Sequence, residues 1–148
     1  VMAGNYKTIL VAVDGSKEAK LALEKAIDLS KKDGAKLVIS YVIDNRTTGT
    51  IEHYDRTYAE HAEGYGVDLL EGYKTIALEA GIEEVTTDLG YGSPKVRIPK
   101  EVAEKYHVDL IIAGATGVNA VERFLIGSVS ESIARRAKCD VMIVRNRD

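Results

Sequence analysis

The sequence predicts an open α/β domain: a mostly parallel sheet with helices on both faces. Two observations carry this. Four short runs, TILVAV (8–13), KLVISYVI (36–43), DLIIA (109–113) and VMIV (141–144), are rich in Val and Ile and show no polar alternation, as expected of strands covered on both sides. Stretches with helical spacing separate them, and βα alternation of this kind builds a parallel sheet through crossover helices. A fifth run, EEVTTDLGY (83–91), alternates only partly and suits a strand nearer an edge.

The elements follow in order. After the first strand, Ser16 is placed to cap a helix over 16–32, with Ala19, Leu23, Ala26, Ile27 and either Leu29 or Ser30 along one stripe. The second strand runs into DNRTTGTIEH (44–53), the longest unpatterned stretch, a candidate lid over a ligand. Ala62, Tyr65, Leu69, Tyr73, Ile76, Ala77 and Ala80 form a second stripe, closed by Gly81. Gly64, Gly66 and Gly72 each weaken that helix by roughly 1 kcal/mol relative to alanine, which predicts a mobile or irregular early part. Ser93-Pro94 marks the start of a third helix leading to Tyr106. Pro99 lacks an N–H and crowds the preceding turn, so the helix either restarts or kinks there. A fourth helix is predicted from Ser128 to about Ala137.

The 148 residues read as one domain, 1–148, large enough for a real core. A net charge of −3 and a pI near 5.7 argue against a nucleic-acid or polybasic membrane partner. The single cysteine, Cys139, forms no disulfide within a chain and fits a reducing cytoplasm. No apolar run approaches the roughly 18 residues that span a bilayer. A cytoplasmic protein is expected. His53, His61 and His107 are scattered without ligand spacing. Arg135, Arg136 and Lys138 lie near Cys139 and leave open a redox-sensitive thiol.

In open α/β sheets, ligands bind at the carboxyl ends of strands where the winding reverses. Two segments end strands with suitable chemistry. In VAVDGS, the Asp14 carboxylate either accepts from a ribose or an adenine amino group or serves the turn and helix cap. In GATGVNAVERFLIGS (114–128), Gly114 and Gly117 offer bare backbone, which glycine supplies either to a ligand or to close packing. Gly127 and Ser128 stand at a helix start, where free N–H groups and the dipole favour phosphate; Ser128 and Ser130 add hydroxyls. Alternatively, SVSE reads as a capping box, with Ser128 at the N-cap and Glu131 three residues on. The stretch is neither a Walker P-loop nor a dinucleotide fingerprint.

Gly114-x-x-Gly117, nine residues, then Gly127-Ser128 resembles the G-2x-G-9x-G-(S/T) nucleotide motif of the universal stress protein family. ILVAVDGS, GSP, DLIIAG and CDVMIVRN resemble that family in the same order, over nearly the whole chain. The resemblance implies a doubly wound five-stranded sheet of order 3-2-1-4-5 with ATP between the first and fourth strands. It implies that Ala12, Val13 and Asp14 sit by the adenine and ribose, Val42 by the adenine, and Ala113 and Gly114 by the ribose. Gly117, Gly127, Ser128, Val129 and Ser130 would hold the phosphates, with Mg or Mn on the phosphates and no protein metal ligand. It also implies a homodimer through the last strand, Val141, Met142, Ile143, Val144 and Arg145. The chain departs from the family at Thr116, where many members carry Arg or His, and in a segment 94–103 that is about one residue longer than usual.

The expected function is that of an ATP-binding stress-response protein, a nucleotide-dependent dimeric switch or scaffold with a regulatory protein partner. The alternative is a slow ATPase or autophosphorylating enzyme. Phosphoryl transfer needs a positioned base or charge clamp; the glycine motif contains neither Lys nor Arg next to its glycines, and no catalytic residue is assigned.

Overall fold

Residues 5–44, 56–115 and 126–146 are described by the computed structural model, the side chains of 56–59 excepted. The elements run β1 (Thr8–Ala12), α1 (Lys17–Asp33), β2 (Lys36–Ile43), α2 (Arg56–Glu79), β3 (Val85–Tyr91), a composite helix α3, β4 (Leu110–Gly114), α4 (Ser128–Arg136) and β5 (Asp140–Val144). Every strand pairing is parallel, and the order is β3-β2-β1-β4-β5. The partly alternating strand is therefore an edge, as its pattern predicts.

Alternate residues of the central strands feed two apolar layers. Ile9, Val11 and Val13 of the first strand, with Leu37, Ile39, Leu110 and Ile112, pack beneath α1 and α2. Leu10, Val38, Val42, Ile111 and Ala113 pack on the other face against Ile98, Val102 and Ala103 of α3 and Ile133 of α4. Full burial of each large aliphatic side chain contributes roughly 1.5–3 kcal/mol. This two-sided coverage explains why the strand sequences carry no polar alternation.

Helix α1 is held at both ends. The Ser16 hydroxyl accepts from the Ala19 N–H at 3.1 Å, and Gly34 closes the helix in the left-handed region, with φ of 67°. Helix α2 begins at Arg56, before the expected apolar stripe, and continues unbroken through its glycines. Gly64 and Gly72 have open space above them, but a Cβ on Gly66 would meet Leu89 at 2.9 Å and the Tyr41 ring at 3.1 Å. That glycine lets the helix lie close on β2 and β3, so the expectation of an irregular early part is corrected.

The third helix consists of Pro94–Val96, a π-helical piece Arg97–Val102, and Ala103–Lys105. Across the π turn the Ala103 N–H reaches the Ile98 carbonyl, five residues back. A π turn is how a helix takes in an extra residue, which matches the length excess of this segment. Pro99 lies inside it, buried. The helix neither restarts nor stops at the proline; it widens around it. No helix among the described residues is long and apolar enough to cross a membrane.

Candidate functional site

From β1 the chain winds outward to β2 and β3, then returns to the other side of β1 for β4 and β5. The switch point thus lies at the carboxyl ends of β1 and β4. On the α3/α4 face there, the strand registers set Asp88, Ser40, Ala12, Ala113 and Ile143 side by side. The three central residues are small, which lowers the sheet surface into a trough beside Val42, buried one step nearer the rim.

Asp14 follows β1. Its Oδ1 accepts from the Ser16 N–H at 3.0 Å, so the turn-and-cap role considered from the sequence is real and occupies one carboxylate oxygen. Val13 is buried, and its N–H donates to the Ser40 carbonyl at 2.9 Å. On the opposite face, the Tyr73 phenol is pushed above its ordinary range, chiefly by burial and then by the Asp14 carboxylate.

Gly114 ends β4. A Cβ there would fall 2.7–2.9 Å from the Cβ, main-chain carbon and oxygen of Glu18 in α1, so packing against a helix backbone demands glycine at this position. The Gly114 carbonyl accepts from the Ser130 hydroxyl, which is buried. The chain then leaves β4 through Ala115, whose N–H donates to the Val144 carbonyl at 2.8 Å, and returns at Gly127, whose N–H donates to the Ala115 carbonyl at 2.6 Å. These bonds fix the start of α4 beside the end of β4. Gly117, Thr116 and the rest of 116–125 lie outside the described residues, as do 45–55, which include most of the expected lid.

The capping box does not form. Gly127, not Ser128, is the N-cap, with no side-chain cap, and the first intrahelical bond runs from the Glu131 N–H to the Gly127 carbonyl at 2.9 Å. Glu131 instead pairs with Arg135 one turn on. The Ala115–Gly127 bond sets the chain path one residue ahead of the box. The N–H groups of Ser128, Val129 and Ser130 therefore precede the helical ladder without a side-chain cap, at the positive end of the dipole. Ser128 is exposed, Val129 half-buried and Ser130 buried.

Two side chains near the trough escaped sequence reasoning. Ser40 is fully buried within β2, and its Oγ has no hydrogen-bond partner among the described residues; a lone serine inside KLVISYVI was the available signal. Arg97 of α3 reaches the same end of the sheet, and nothing in its local sequence announces that. Cys139 is half-buried, and burial pushes its thiol pKa upward, the reverse of what a reactive thiolate needs. Among the described residues no group of three or more His, Cys, Asp or Glu side chains is placed to hold a metal.

Fold and crevice together define a doubly wound α/β domain with a small-residue trough and an anion-receptive helix start at its switch point. Residues 5–145 match the universal stress protein family, and the chain belongs to it. It is 50% identical over 143 residues to a provisionally named universal stress protein of Staphylococcus saprophyticus, covering 97% of this chain and 86% of that one. Its fold is similar to that of universal stress protein UspA from Lactobacillus plantarum, with a TM-score of 0.86, 27% identity and coverage of 97% and 100%. It is also similar to a universal stress protein solved in complex with cAMP, with a TM-score of 0.69, 27% identity and coverage of 96% and 98%.

Proposed function

We propose that this chain binds ATP in the switch-point crevice and acts in the cytoplasm as a nucleotide-dependent dimeric switch or scaffold in the stress response. The observation that carries the reading is the start of α4. Three successive main-chain N–H groups, of Ser128, Val129 and Ser130, face the rim without a side-chain cap, held there by the Ala115–Gly127 bond. Such an arrangement favours phosphate. The cAMP-bound relative supports an adenine nucleotide as the class of ligand.

In this reading Ala12 and Ala113 form the floor, Val42 flanks the base, and Asp14 offers its remaining carboxylate oxygen to the ribose or an amino group. Gly117, Gly127, Ser128, Val129 and Ser130 serve the phosphates, Ser130 through its N–H because its hydroxyl is engaged by Gly114. Mg or Mn travels on the phosphates, where it offsets their charge. The exposed edge of β5 pairs with a second copy. The Ala115 N–H binds the Val144 carbonyl, so by strand alternation the main-chain groups of Val141 and Ile143 point away from β4, toward that edge.

Thermal unfolding with ATP and Mg tests the binding. At a ligand concentration of 100 times Kd, stability rises by about 2.7 kcal/mol, a clear upward shift in Tm. An unchanged Tm at millimolar ATP would overturn the reading.

A further inference from the structure

The rung nearest the rim on the α3/α4 face pairs Val42 with Gly90. Arg97 lays its side chain where Gly90 and Gly92 have none. Its Nε and Nη2 stand 3.2 and 3.3 Å from the position of a Cβ on Gly90, and its Cδ stands 3.2 Å from that of a Cβ on Gly92. Glu101 holds Nη1 at 3.0 Å. Nε is buried with no hydrogen-bond partner among the described residues, and the fully buried Ser40 hydroxyl, one rung further in, has none there either. Buried donors without partners are rare in native folds because the lost hydration is not recovered. Both groups lie on the β2–β3 side of the crevice.

The α4 N–H groups lie on its β4–β5 side. At about 4.8 Å per strand spacing the two sides are roughly 10–15 Å apart, a gap a nucleotide bridges and inorganic phosphate does not. Arginine only donates, so Nε requires an acceptor, and a purine ring presents unprotonated nitrogens at its edge. Resting on the nucleotide reading above, we propose that Arg97 selects the base, its Nε–H donating to a ring nitrogen of the purine. Glu101 then acts as a positioning residue that fixes the guanidinium plane, and the glycines at 90 and 92 give that plane its room.

The test is calorimetric binding of ATP and of its 1-deaza, 3-deaza and 7-deaza analogues to the wild type and to Arg97→Met, which keeps an apolar stem. One analogue is expected to bind the wild type about tenfold or more weakly than ATP, and Arg97→Met to bind ATP that weakly with no further loss for the same analogue. Equal binding of all four ligands by the wild type, or undiminished ATP binding by Arg97→Met, overturns the role of Arg97 and leaves the nucleotide site standing. No binding of any of them by the wild type removes the site itself. Should Arg97→Met fail to fold, Arg97→Lys, which keeps the charge but has no Nε, takes its place in the comparison, and equal binding of all four ligands by the wild type still overturns the role of Arg97.

Discussion

The Ser132 hydroxyl of α4 donates to the Lys95 carbonyl of α3 at 2.9 Å. Lys95 stands four residues before Pro99, so the helical bond that its carbonyl would receive from an ordinary residue at 99 cannot form. Ser132 replaces it, and the repair ties the widened helix to the helix whose start faces the crevice. Ser132→Ala leaves a half-buried carbonyl unsatisfied and is expected to cost about 1–3 kcal/mol in urea unfolding. The cost is expected to shrink in a Pro99→Ala background, where residue 99 regains an N–H. Additive losses in the double-mutant cycle would show that the two positions are not coupled.

The serines at 128 and 130 have separate duties. Ser130→Ala removes the buried bond to the Gly114 carbonyl and is expected to lower stability by about 1–3 kcal/mol without any ligand. Ser128→Ala, at an exposed position, is expected to leave the ligand-free unfolding midpoint within about 0.5 kcal/mol and to weaken ATP binding by no more than about tenfold. Denaturation and calorimetry on the same pair of variants check both expectations.

Ile143→Pro deletes an outward-facing N–H from β5 without touching its ladder to β4. An edge strand tolerates such a proline. On the proposed pairing through β5, the wild type is expected to sediment as a dimer and the variant as a monomer at the same concentration, with circular dichroism unchanged. A dimer that survives the substitution would place the contact elsewhere.

Tyr73 is expected to make stability fall at high pH. Its folded pKa is raised above the ordinary 10.0 by burial first and the Asp14 carboxylate second. The native state therefore retains the proton longer than the unfolded chain. The associated stability is fully present below about pH 10 and is lost as pH rises through the raised value. Tyr73→Phe is expected to flatten the decline in urea midpoint between pH 9 and 11; an unchanged slope would assign the decline to other groups.

Much of this architecture was legible because local and global demands agree. Three of the Val- and Ile-rich runs became buried strands, whereas VMIV, read the same way, became a half-buried edge; the run with partial alternation became the opposite edge. The misreadings share a cause: tertiary bonds overrode local patterns. SVSE has the letters of a capping box, yet a main-chain bond from Gly127 to Ala115 sets the helix start one residue earlier. Gly66 counts against a helix by propensity, but contact with Tyr41 and Leu89 requires it. The π turn breaks the regular spacing in the third helix, so Ile98, Val102 and Ala103 form no simple stripe. The trough arises from registers between strands far apart in sequence, and only Ser40, a polar residue in an apolar run, hinted at it.

The short main-chain bond between Ala115 and Gly127 separates two kinds of change. Because Ala115 and Gly127 are hydrogen-bonded to each other, the helix that follows keeps its bearing whatever the length of the peptide between them, and lengthening that peptide costs little entropy. The length of that peptide and the bearing of the helix start can therefore change independently of each other.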